Sequence, residues 1–174
     1  MRYIVAVFLV VILLSGCTTE EPETSIEVGA IAPDFCVKDL DGNIVILSYF
    51  KDEPVILRFW ETDCRFCRAD TPIINVYFEK YKDRGLKVFY ISASTENKAA
   101  VKEFIKDLEV PFPVIMDEDA KIADLYNIIL YPQTLIIAPG QKILAIIPGG
   151  VGEADLDELI GPFVQDSDIS LPKG

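Results

Sequence analysis

An apolar run, Val55-Ile-Leu-Arg-Phe-Trp60, stops four residues short of Cys64-Arg65-Phe66-Cys67, and a helix-patterned segment follows at once. A strand, a short turn and a Cys-x-x-Cys at a helix start is a narrow context for two cysteines, and it points to a redox dithiol. The first turn of a helix carries unpaired N–H groups and a partial positive charge. Both favour thiolate over thiol, and the thiolate is the nucleophile of disulfide exchange. Cys64 stands where that effect is strongest, and Cys67, a turn inside, is placed to resolve a mixed disulfide. Structural zinc asks for four ligands, usually cysteine and histidine. The chain has four cysteines and no histidine. With Cys17 assigned elsewhere, Cys36, Cys64 and Cys67 are one ligand short, so no metal site is expected. The lack of imidazole also removes a Cys-His nucleophile pair.

The N-terminus reads Met1-Arg2, an apolar stretch from Tyr3 to Leu14, then Ser15-Gly16-Cys17. One positive charge, a short apolar run and small residues before a cysteine describe a secretory signal rather than a membrane span. Leu14-Ser-Gly-Cys17 resembles the prokaryotic lipobox, which makes Cys17 the lipidated first residue of the mature chain. Residues 1–16 are thus read as a lipoprotein signal, and residues 17–27, rich in Thr, Glu and Pro, as a flexible tether. Losing Arg2 with the signal leaves 15 basic against 28 acidic residues, a net charge of −13. That excludes nucleic acid as a partner and electrostatic adhesion to anionic lipid. The lipid on Cys17 does the anchoring instead. Outside the cytoplasm disulfides persist, so a dithiol kept reduced there needs a supply of electrons.

Residues 28–164 are long enough for one domain with a substantial core, and residues 165–174 form a polar tail. Within the domain strands and helices alternate. Phe35–Leu40 and Ile44–Leu47 flank Asp41-Gly42-Asn43, a hairpin signal. Val55–Trp60 is the central strand, buried on both faces. A helix over Arg68–Arg84 ends at Gly85. Strands are expected at 86–93 and 112–116, helices at 98–108 and 120–126, and a second hairpin pairs 133–138 with 142–147. One helix over Glu153–Val164 closes the domain. The pattern predicts an α/β, thioredoxin-like fold: a mixed central sheet with helices on both faces and an N-terminal β-hairpin extension.

At this point the residues resemble a known family, the extracytoplasmic thioredoxin-like thiol–disulfide oxidoreductases of the TlpA/ResA type, within the redoxin (AhpC/TSA) group. Gly29-Ala-Ile-Ala-Pro33-Asp34-Phe35 with Leu40-Asp-Gly42 is similar to the family's N-terminal hairpin. Phe59-Trp60 leads into the Cys-x-x-Cys with the family spacing. Pro72 falls where such proteins carry a helix-kinking proline, and Tyr131-Pro132-Gln133-Thr134 where they carry a cis-proline before a Thr-containing strand. The resemblance implies a dithiol enzyme whose only redox group is the Cys64–Cys67 pair, with no separate cofactor. It implies protein thiol and disulfide substrates, apocytochrome c among them, and a membrane electron donor of the CcdA/DsbD kind. Trp60 is expected to lie beside the motif as a flat apolar lip, with a plain core position as the alternative. Asp70 matches, with a shorter side chain, a glutamate that manages the thiols' protons in ResA-like members.

The chain also departs from the pattern. Arg58 stands where thioredoxin has a buried aspartate. A cation in mid-strand must be paired or reach solvent, and Glu61, Asp63 and Asp70 are the nearest acids in sequence. Asp63, next to Cys64, disfavours its thiolate, while Arg58, Arg65 and Arg68 favour it. Three basic and three acidic residues between positions 58 and 70 leave the site neutral within an acidic protein. Cys36, in the N-terminal hairpin, reads as a small buried residue. Two rival functions are weaker. A thiol peroxidase wants Thr or Ser three residues before its reactive cysteine, and Glu61 stands there. A non-catalytic binding lipoprotein has no need of both thiols.

Overall fold

The structure, a computed structural model, describes residues 26–165. The signal, Cys17, most of the tether, and tail residues 166–174 lie outside the described residues.

Two alternating apolar sets on one central strand organise the domain. Strand β3, Val55–Trp60, is buried along its whole length. Successive side chains of a strand point to opposite faces. Ile56 and Trp60 enter a cluster with Ile74, Tyr77, Phe104 and Leu156, whereas Val55, Leu57 and Phe59 join Phe35, Val45, Ile122 and Tyr126. The sheet runs β5-β4-β3-β6-β7. Its other members are β4 (Lys87–Ser92), β5 (Val114–Met116), β6 (Gln133–Ile137) and β7 (Ile143–Pro148). β3 pairs in parallel with β4 and antiparallel with β6, so the sheet is mixed. Helices α1 (Arg65–Tyr81), α2 (Lys98–Asp107) and α4 (Glu153–Leu159) cover the first face. Helix α3 (Lys121–Leu125) covers the second, with Ile122 inside its cluster.

A two-stranded sheet, β1 (Cys36–Lys38) with β2 (Ile44–Ile46), forms the N-terminal hairpin. Asp39 closes its turn by accepting from the Asp41 and Asn43 N–H groups, at 3.0 and 2.8 Å. Gly42 adopts φ 88°, a conformation open to glycine. The Leu40 N–H donates to the Val114 carbonyl and ties the hairpin to the edge of the main sheet.

Two expected boundaries are corrected. The helix after the motif begins at Arg65 rather than Arg68, so both motif cysteines belong to its first turn and cap. The closing helix is two, α4 and α5 (Gly161–Val164), divided at Ile160. Pro162 lacks the N–H that would continue α4, and proline is tolerated only in a helix's first turn. Pro72 sits inside α1, one turn beyond the motif.

Candidate active site

The Cys64–Cys67 pair is asymmetric. Cys64 is the N-cap of α1, and its Sγ accepts a hydrogen bond from the Cys67 N–H at 3.2 Å. A sulfur in a helix cap faces the unpaired N–H groups of the first turn. Cys64 is half-buried, whereas Cys67 is 1% exposed. Burial pushes the Cys67 thiol up to about 12, its contact with Cys64 adds to the rise, and a backbone hydrogen bond at Glu61 and, less strongly, the Arg58 charge pull it back. A partner's sulfur can therefore reach Cys64, while Cys67 waits behind it as a thiol.

The turn that presents Cys64 is pinned from a distance. Glu96, in the loop after β4, accepts from the Thr62 N–H at 2.8 Å and from the Thr62 hydroxyl at 2.7 Å. The Thr62 carbonyl accepts from Arg68 Nε at 3.3 Å. Sequence reasoning missed Glu96. Its only signal was a Thr-Glu-Asn run at the end of a predicted strand, where α/β sheets place functional loops.

Arg58 finds its partner beneath the motif. It is fully buried and ion-paired with Asp70. Its other terminal nitrogen donates to Thr134 Oγ1 at 2.6 Å and to the Gly149 carbonyl at 3.0 Å. Asp70 is buried too, and the oxygen that meets Arg58 also accepts from the Val151 N–H at 3.1 Å. Burial raises the Asp70 acid, and Arg58 and the Val151 N–H oppose the rise. One guanidinium thus joins the helix bearing the dithiol, the strand that follows Pro132 and the loop after β7.

Pro132 lies at the same end of the sheet. The register Phe59↔Gln133 sets it level with Trp60, where the chain leaves β3 toward Cys64. The Tyr131–Pro132 bond is cis. The Pro132 carbonyl accepts from the Gly149 N–H at 2.8 Å.

Other expected site residues sit differently. Trp60 is not a lip: it is wholly buried, with its ring centroid 4.2 Å from that of Phe104. Its strand position faces the helical layer, and α2 covers it. Phe66, 52% exposed, is the aromatic at the surface, with the Arg65 guanidinium 4.7 Å above its ring. Asp63 and Arg65 both point to solvent. Cys36 is corrected from buried to exposed. Val37 faces inward on β1, so Cys36 and Lys38 face out. Among the described residues no group of His, Cys, Asp and Glu could hold a metal ion.

The sequence of this fold and site matches the AhpC/TSA family over residues 28–146. The chain belongs to that family. Within it, the chain is 34% identical over 148 residues to the thiol–disulfide oxidoreductase ResA of Bacillus thuringiensis subsp. konkukian, covering 85% of this chain and 84% of that one. It is 33% identical to ResA of Bacillus subtilis over 141 residues, 79% and 78% of the two chains. Among solved structures, a thiol:disulfide interchange protein from Bacteroides sp. superposes with a TM-score of 0.70 at 25% identity, covering 84% of this chain and 96% of that one. StoA from Bacillus subtilis, at 22% identity and a TM-score of 0.65, covers 75% of this chain and 98% of its own, and shares the fold. This family member is a thioredoxin-like oxidoreductase of the thiol–disulfide kind.

Proposed function

We propose that this redoxin reduces disulfides in extracytoplasmic proteins through Cys64 and Cys67, anchored to the membrane by a lipid on Cys17. The observation that carries the reading is the asymmetry of the pair: a half-buried sulfur in a helix cap with a buried thiol behind it. The Cys64 thiolate attacks a disulfide sulfur of the partner, forming a mixed disulfide and releasing the partner's other sulfur. Cys67 then attacks Cys64 Sγ, which frees the second sulfur and closes the Cys64–Cys67 bond. Two electrons pass to the partner, and the motif is left oxidised. By resemblance to the ResA type, Asp70 takes the Cys67 proton, the substrates include apocytochrome c, and a membrane donor of the CcdA/DsbD kind restores the dithiol. No resident cofactor takes part. Arg65 and Asp63 flank Cys64 with opposite charges from exposed positions. Among the described residues no helix is long and apolar enough to cross a membrane.

The test is the reduction potential of the pair, by equilibration in defined dithiol buffers. A reductase gives about −250 mV or lower, toward the thioredoxin end of the scale. A value above about −150 mV marks a disulfide-forming oxidant and overturns the reductive direction.

A further inference from the structure

A buried cation is costly unless it is well paired, and Arg58 has been given partners from three separate segments. Its place in β3 puts it between Ile56 and Trp60, on the face that carries α1. Asp70 lies three residues after Cys67 on that helix, a spacing that makes side chains neighbours, and both are buried. The two oxygens of Asp70 are used unequally. Oδ2 receives both Arg58 and the Val151 N–H. Oδ1 is buried with no partner among the described residues, as is Arg58 Nε. The ionisable groups facing this pocket are Cys64, Cys67 and Asp70 from α1, Arg58 from β3 and Tyr90 from β4. β6 offers the Thr134 hydroxyl, and the 149–151 loop offers backbone alone. One fixed cation therefore stands beside one carboxylate with a spare oxygen and one thiol.

We propose that Arg58 is the shared counter-ion of Asp70 and Cys67, a positioning residue that keeps the buried pocket neutral while a proton passes between them. The inference rests on the resolving role proposed for Cys67. In the mixed disulfide, Cys67 is a thiol and the negative charge sits on Asp70, paired with Arg58. The Cys67 proton goes to the Asp70 carboxylate, and the charge moves to the Cys67 sulfur. That thiolate attacks Cys64 Sγ, the Cys64–Cys67 bond forms, and the bond from Cys64 to the partner's sulfur breaks. The departing thiolate takes a proton from solvent, and Asp70 later returns its own. Until the charge leaves with the partner's thiolate the pocket holds one anion against one guanidinium, and loss of the Asp70 proton then restores that balance. Without the cation the same transfer would carry an uncompensated charge through a site closed to water.

The test titrates Cys67 by thiolate ultraviolet absorbance in the full chain carrying Cys17→Ser, Cys36→Ser and Cys64→Ser, so that the reading needs no disulfide exchange. Adding Asp70→Asn unmasks the cation and moves the Cys67 titration down by about 1–3 pH units, the effect of a nearby opposite charge. Adding Arg58→Met to Asp70→Asn leaves an uncharged pair and returns Cys67 to its starting value or higher. Arg58→Lys, which keeps the charge, holds Cys67 near its starting value. If Asp70→Asn titrates like the double variant, Arg58 is no counter-ion and the proposal fails. Failure of the unaltered protein to exchange with any protein disulfide would instead sink the proposed function, leaving the titration result standing.

Discussion

Cys64→Ser lowers the rate at which the protein reduces a protein disulfide by about a thousandfold or more, to the background of the solution reductant. The size of the effect follows from the geometry. A serine hydroxyl in the same helix cap stays protonated near neutral pH and cannot open a disulfide. Cys67 cannot take over, because it is buried and its proton is held up to about 12. Cys36 has the exposure but sits on the outer face of the β1–β2 hairpin, away from any helix cap. The measurement is turnover of a protein disulfide by the unaltered and substituted chains at equal concentration. Residual activity within tenfold of the unaltered protein would mean that another thiol does the chemistry.

Arg58→Met lowers stability by about 3–5 kcal/mol, the cost of leaving one partner of a buried ion pair uncompensated. The loss spreads beyond Asp70, since Thr134 and the Gly149 carbonyl lose their donor at the same time. Replacing both partners, Arg58→Met with Asp70→Leu, recovers most of that loss, because two apolar groups of similar volume can substitute for a buried pair. Unfolding in denaturant reads both values. An Arg58→Met midpoint equal to that of the unaltered protein would show that the pair contributes no more than the exposed Arg68–Asp107 pair, with its 3.9 Å separation. The double variant separates stability from chemistry: it folds, yet it lacks both the proposed proton acceptor and the cation.

Much of this architecture was legible in the sequence. The unbroken apolar run of β3 announced a strand covered on both faces, and Asp41-Gly42-Asn43 announced the hairpin. Arg58 stood out because a cation interrupts that run, and three nearby acids bounded its choice of partner. Selecting Asp70 needed the helix phase, which turns Cys67 and Asp70 toward the sheet, whereas Asp63, before the helix, is exposed. Cys36 was misread although its neighbour held the answer. Lys38 shares its face of β1, and a lysine at an edge strand points outward; the apolar character of cysteine hid that parity. Trp60 was misread because its cover, Phe104, lies on another helix. Glu96 was missed for the same reason: its grip on Thr62 spans 34 residues and leaves no local pattern. Periodicity reports which face a residue occupies, whereas what covers that face is decided by tertiary packing.

The most direct test of the account is covalent capture by the Cys67→Ser variant. With the resolving thiol gone, the first attack still occurs and the mixed disulfide cannot be cleared. The account predicts adducts with extracytoplasmic proteins that carry disulfides, each joined through Cys64 when the linked peptides are identified by mass spectrometry, and none when Cys64→Ser is added. Adducts joined through Cys36, or no adduct with any protein while the variant remains folded, would contradict it.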